Sequence, residues 1–269
     1  MKNVMWVVVV LVLGGIAAGY YYWQMQQVAP APPVAEAPLP PPPPAPEPQI
    51  RHPIQPPATP GGKPLPPLDE SDAAMVETLT GFFGEKRAEE FFDLKDIVRR
   101  FVVTVDNLPR KKVPMRYRLF RPVAGELLVA GADRDLTLKP ENFRRYTPYV
   151  LLSQAVGVKT LVAAYVHFYP LFQEEYKELG YPKGYFNDRL VEAIDDMLEA
   201  PEVKEPIRLE RPNVLYQFAD PDLEALSAGQ KILIRMGPEN AARIKARLRE
   251  LRRELTGQVP EPQQKAGAG

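Results

Sequence analysis

Beyond Asp69 the apolar residues recur every third or fourth position, the period of helices that bury one face. Leu94, Ile97, Val98, Phe101, Val102 and Val105 draw one wide stripe. Asp93 is placed to cap that helix, Asp96 falls in its first turn where a carboxylate meets free N–H groups, and Pro109 closes it. Val158 to Leu179 is the longest apolar-faced segment, with Leu161, Tyr165, Phe168, Tyr169, Phe172 and Tyr176 on one side. Pro170 should kink it and Gly180 should stop it.

Shorter elements fill the spaces between. Thr147-Pro148 starts a helix. Asn187 is placed to cap the helix carrying Leu190, Val191, Ile194 and Leu198, with Phe186 and Val191 as a hydrophobic staple and Pro201 after its end. Asp220-Pro221 opens a short helix, and Ser227 with Gln230 reads as a capping box for the next. Gly237-Pro238 ends that helix and begins the last, along which Ile244, Leu248, Leu251 and Leu255 follow one another. Two stretches break the helical period. Val123 to Leu138, turning at Gly131-Ala132-Asp133, predicts a small hairpin, and Ile207 to Phe218 predicts a second pair of short strands.

The first part of the chain obeys neither period. Val4 to Tyr22 is an uncharged run of 19 residues, long enough to cross a bilayer core of about 30 Å. Tyr20-Tyr21-Tyr22-Trp23 at its far end is an interfacial aromatic group. Lys2 precedes the run and no Lys or Arg follows until Arg51, which places the N-terminus in the cytoplasm and the rest outside. Ala17-Ala18-Gly19 resembles a signal cleavage site, but the run is long for a signal peptide. Of the 32 prolines, 18 lie between Pro30 and Pro67. Such a segment has little apolar surface to bury and extends as polyproline II, reaching roughly 120 Å. It reads as a spacer; its PxxP runs are the kind that arise by chance in proline-rich chain.

Composition narrows the chemistry. The 269 residues include no cysteine, which removes disulfides, thiolate nucleophiles and cysteine metal sites. Net charge is zero, so charge-driven binding must be local. The phosphate-loop, dinucleotide and nucleophile-elbow motifs are absent from the sequence. His52 lies in the stalk, and His167 lies between Val166 and Phe168 without an acid or second histidine at ligand spacing. No metal and no cofactor is expected.

Four candidate sites stand out. Arg110, Lys111, Lys112, Arg116, Arg118 and Arg121 form a run free of acids, interleaved with Tyr117 and Phe120, and Arg99 and Arg100 lie just upstream. In the cytoplasm that pattern would suggest nucleic acid; outside the membrane the anions at hand are lipid headgroups or envelope polymers, and no nucleic-acid partner is expected. The plainer reading is a solvated loop. Asp188, Asp195 and Asp196, beside Arg189, are the acids a glycan hydrolase would use, although Asp188 suits a helix N-terminus and the other two fall outside the apolar stripe as solvated groups. The face of Tyr165, Tyr169, Phe172 and Tyr176 would suit sugar stacking, but aromatics at that spacing are usually core. The last helix carries Arg243, Lys245, Arg247, Arg249, Arg252 and Arg253 beside its leucine stripe, a pattern that would seat a partner helix or pack internally.

Several runs in order carry a resemblance. Leu65-Pro66-Pro67-Leu68-Asp69-Glu70-Ser71-Asp72, Arg99 through Pro109, Tyr169-Pro170-Leu171-Phe172-Gln173, Phe186-Asn187-Asp188-Arg189-Leu190, Tyr216 through Pro221, Leu226 through Lys231 and Arg235 through Asn240 resemble a bacterial envelope family catalogued as domain of unknown function 3014. The resemblance spans residues 65–255. It implies a Gram-negative protein with an N-terminal membrane segment, and it brings no activity and no catalytic residue.

The expected organisation is a cytoplasmic N-terminus (1–3), a transmembrane anchor (4–22), a proline-rich linker (23–68), a helical periplasmic domain (69–256) and a disordered tail (257–269). The fold class is mainly α, a compact multi-helix domain with one or two small β-hairpins. The expected role is a non-enzymatic interaction or scaffolding module held at the inner membrane, single-pass, with an envelope protein or an anionic polymer as partner. The alternatives are a tethered carboxylate enzyme acting on envelope polymers and a module binding anionic glycan or lipid.

Overall fold

The computed structural model describes residues 21–24, 49–54, 64–132 and 135–257. The anchor up to Tyr20, most of the linker and the tail beyond Gly257 lie outside the described residues. The chain divides into two units, residues 1–46 and residues 47–269. Of the first, only residues 21–24 are described, and they are helical. Among the described residues no single helix is long and apolar enough to cross a membrane.

The second unit is mainly helical with one small sheet. Its helices are α1 (Asp72–Phe83), α2 (Glu85–Phe91), α3 (Ile97–Asn107), α4 (Thr147–Gln154), α5 (Val158–Glu178), α6 (Phe186–Leu198), α7 (Pro221–Ala225), α8 (Ala228–Arg235) and α9 (Pro238–Thr256). Helices α3, α5 and α6 pack on one another, and α9 lies across α4, α5 and α6. The stripe of α3 enters this core through Ile97, Val98, Val102 and Val105. The aromatics of α5 meet it: Phe101 and Phe172 have ring centroids 4.7 Å apart, and Phe101 and Phe186 5.8 Å. Such offset and edge contacts add to plain area burial. Helix α5 continues through Pro170, whose side is exposed, and ends before Gly180 at φ 103°.

The start of α3 departs from the sequence expectation. The backbone N–H groups of Asp96 and Ile97 donate to the Asp72 carboxylate at 2.7 and 2.8 Å. An acid at the head of α1 therefore satisfies the free donors of α3, and Asp93 does not cap it. Asp93 instead pairs with Arg100 at 2.9 Å, and Asp96 sits in the left-handed region at φ 54°. Asn187 likewise is not a cap. It is the second residue of α6, fully buried, and its side chain bonds outward to other segments.

The two predicted strand pairs form and join. Strands β1 (Val129–Ala130), β2 (Leu136–Leu138), β3 (Arg208–Glu210) and β4 (Gln217–Phe218) make one antiparallel sheet in that order. Leu136 pairs with Leu209, and Leu209 with Phe218. Leu138, Ile207, Leu209 and Phe218 bury against Ile234 of α8, giving a second, smaller core. Ser227 and Gln230 close the capping box of α8. Gly237, at φ 82°, turns the chain into α9 where a Cβ would lie 2.4 Å from the Phe143 ring.

Candidate functional site

The basic run begins where α3 ends. Asp106, 5% exposed, accepts from Arg110 and from Arg189 of α6, each at 3.0 Å, and from the Tyr181 hydroxyl at 3.4 Å. Burial alone would lower the Arg110 guanidinium, but the Tyr181 hydroxyl and Asp106 outweigh it and hold its pKa above the ordinary value. The chain then crosses α8: the Gly229 and Ala228 N–H groups donate to the carbonyls of Leu108 and Arg110. A short 3-10 turn, Met115–Tyr117, forms the crest of the loop.

Arg100 fastens the descending limb from below. Its Nη1 donates to the carbonyls of Arg116 and Arg118 at 2.8 and 3.1 Å, and its Nε donates to the Lys95 carbonyl. Thr104 Oγ1 accepts from the Leu119 N–H at 3.1 Å, and Phe92 and Phe120 form a β-bridge. Arg121 Nε donates to the Phe92 carbonyl at 3.0 Å. Arg99 pairs with buried Glu175 at 3.5 Å and lies over the Tyr117 ring.

The eight predicted residues therefore divide. Arg99, Arg100, Arg110 and Arg121 serve the fold, and Arg118 is half-buried. Lys111, Lys112 and Arg116 are exposed, and among the described residues none of their side chains has a hydrogen bond or ion pair; Arg116 lies over Tyr117 at 5.4 Å. Met115 stands between them and is 72% exposed, with Phe120 also exposed. The loop thus presents three cations around an apolar tip on a backbone fixed at both ends.

The predicted acids do not share a site. Asp188 accepts from the backbone N–H groups of Arg51 and His52. Asp195 holds Arg252 of α9 through both oxygens. Asp196 accepts from the Ser227 hydroxyl at 2.6 Å, and burial raises its pKa despite that bond. Asp195 and Asp196 are thus half-buried helix fasteners rather than solvated groups. Two surface depressions, one beside Gly157 and Arg247 and one beside Glu90 and Arg121, contain none of the three.

The aromatic face of α5 is core. Tyr169, Phe172 and Tyr176 are buried, and burial pushes the Tyr176 phenol up to about 12. Tyr165 donates to Asn187 Oδ1 at 3.1 Å. His167 is half-buried with its ring edge-on to Phe168. Among the described residues no three His, Asp or Glu side chains come together as a metal site. On α9, Arg247 donates to the carbonyls of Ser153 and Val156 and Lys245 to that of Ala200, so these cations and the leucine stripe bind α9 to its own domain.

Sequence reasoning passed over one group. Residues 51–54 of the linker are held at the start of α6 by Asp188, Asn187 and Tyr185, and Ile54 is 6% exposed within the main core. The linker is therefore not a free spacer throughout residues 23–68. The available signal was a pair of isoleucines, Ile50 and Ile54, in a stretch otherwise poor in large apolar side chains.

Residues 97–252 match the model of a family described as Protein of unknown function (DUF3014). That span begins at the first residue of α3 and is shorter than the resemblance over residues 65–255. No curated protein matches, and no solved structure matches.

Proposed function

We propose that this chain, which belongs to the family described as Protein of unknown function (DUF3014), is a membrane-anchored interaction module of the bacterial envelope, with its helical domain in the periplasm. The observation that carries the reading is the division within the basic run. Arg100, Arg110 and Arg121 hold the loop in place, while Lys111, Lys112, Met115 and Arg116 face solvent on it. A rigid loop with cations around an apolar tip suits an acidic protein surface, since fixed groups lose little entropy on docking. The anchor and its orientation rest on the uncharged run after Lys2.

A tethered carboxylate enzyme is the weaker reading. It needs convergent acids in a cleft, and Asp188, Asp195 and Asp196 are each engaged by a different partner. An anionic lipid or glycan remains an outcome of the test, because the same cations suit it.

The test is a photo-crosslinking side chain at Met115 in intact cells. A discrete protein adduct that is lost on Lys111→Glu, Lys112→Glu and Arg116→Glu together supports the module. Adducts to lipid or glycan alone would move the assignment to an anionic-polymer binder. No adduct, or one indifferent to the charge reversal, would remove this loop as the docking surface. Protease added to spheroplasts should digest the domain; protection until lysis would overturn the periplasmic placement.

A further inference from the structure

We propose that the start of α6, Tyr185 to Asp188, forms a binding site for a short bent peptide with one apolar residue preceded by proline, that the chain's own residues 51–54 are its resident ligand, and that this contact is a releasable clasp on the linker. The site shares no residue with the basic loop and does not depend on the reading of that loop.

The geometry is that of peptide recognition. Asp188 takes two consecutive backbone N–H groups, those of Arg51 and His52, at 2.9 and 2.7 Å. Asn187 Nδ2 donates to the His52 carbonyl at 2.8 Å, and the Ile54 N–H donates to the Tyr185 hydroxyl at 2.6 Å. Three residues of the site thus bond to main chain of the segment, which fixes the bend at Arg51–His52 without reading its side chains. Pro53 lacks an N–H, so no donor is left over at that position. The apolar anchor is Ile54, buried at 6% exposure.

The receptor side is built for this. Asn187 is fully buried, and its Oδ1 is held by the Tyr165 hydroxyl at 3.1 Å, which leaves Nδ2 directed at the His52 carbonyl. The docked segment supplies the partners that the buried Asn187 amide and the Tyr185 hydroxyl need, and water can supply them when it leaves. The Arg51 side chain is exposed and makes no bond among the described residues, so the site uses the backbone at that position.

The consequence concerns reach. With residues 51–54 docked, the free tether ends near Ile50 rather than at Leu65, which packs on the main core. Opening the clasp returns fourteen residues, 51–64, to the tether, roughly 40 Å if extended. A partner peptide of the same pattern would open it by occupying the site, joining partner binding to tether length.

Trypsin reads the clasp directly. Between Asn3 and Glu85 the only Lys or Arg residues are Arg51 and Lys63, and Lys63 precedes Pro64, which blocks cleavage. In the full-length protein in detergent, the Arg51–His52 bond should be cut slowly. Asp188→Ala should speed that cut by about tenfold or more, since cleavage tracks the open population, while cleavage within the helical domain stays unchanged. Ile54→Glu, which alters the ligand and leaves the receptor intact, should do the same if Asp188→Ala proves unfolded. A synthetic peptide of residues 49–55 carrying Arg51→Gln, added in excess, should speed the cut in the unaltered protein. Equal cleavage rates in the unaltered protein and Ile54→Glu would overturn the clasp. A faster cut in the variants with no effect of the peptide would confine the contact to its own linker and overturn the site for other peptides.

Discussion

Arg189 on α6 sets its Nε 3.0 Å from Oδ1 of Asp106 at the end of α3. Both side chains are largely buried, at 14% and 8% exposure. Arg189 also donates to the Asp106 carbonyl, and Arg110 reaches the same carboxylate from the start of the basic loop. One acid therefore joins two helices and the root of the candidate interface.

Removing that acid should be costly. Asp106→Ala leaves the largely buried Arg189 with only the more exposed Glu192, at 2.8 Å, for which a loss of about 2–3 kcal/mol is expected, less than for a buried charge left wholly unpaired. Denaturant unfolding should show the loss as a lower midpoint. Arg110→Ala removes only the more exposed partner and should cost about 1 kcal/mol or less. Equal losses in the two variants would contradict the central place given to the Asp106–Arg189 pair.

The loop makes a second contrast. Lys111→Glu, Lys112→Glu and Arg116→Glu should each leave thermal stability within about 0.5 kcal/mol, because exposed groups without partners contribute little to folding. Arg100→Ala should cost about 1–3 kcal/mol, since it strips hydrogen bonds from the carbonyls of Arg116 and Arg118 and the partner from Asp93. Melting temperatures of the four variants decide it. A large loss from any of the first three would mean that its cation serves the fold.

Gly237 allows a purely steric test. Its φ of 82° strains any residue with a Cβ, and that Cβ would meet the Phe143 ring at 2.4 Å. Gly237→Ala should therefore destabilise by roughly 2–4 kcal/mol, the strain and the overpacking adding together. Phe143→Ala in the same chain should relieve the steric part and not the backbone part, which a double-mutant cycle of unfolding energies would show as coupling between the two sites.

Local rules carried much of this fold. The capping box at Ser227, the short helix after Asp220, the two strand pairs and the leucine stripe of the last helix were legible because each depends on residues within a turn or two. What was not legible depends on distant partners. Asp72 caps α3 from 24 residues away, and two hairpins about 70 residues apart share one sheet through Leu136 and Leu209. The same holds for function. Local spacing marked all eight cations of the basic run, but only their partners separate Arg100, which holds the loop, from Lys111, which faces solvent. The docked linker was hidden by its prolines, whose composition argues for extended chain whether or not a groove receives it.

Glu175 gives the stability a pH dependence with a defined sign. The residue is 3% exposed, and its pKa is raised chiefly by burial, with Arg99 at 3.5 Å opposing the rise only in part. Below the ordinary glutamate pKa the group is protonated in both folded and unfolded chains and contributes nothing. As pH rises past that value the unfolded chain ionises first, so the folded chain binds more protons and stability falls. The fall ends once pH passes the raised value in the folded chain, and the penalty is constant above it. Glu175→Gln cannot ionise and should escape the penalty. Arg99 is 43% exposed and lies over the Tyr117 ring, so losing this 3.5 Å partner costs little. Melting temperatures of the two proteins, taken in steps from about pH 4 to pH 8, should diverge in favour of the variant as pH rises. A variant less stable by the same margin at every pH would show that the Arg99 pair, and not the burial of the carboxylate, dominates at this position.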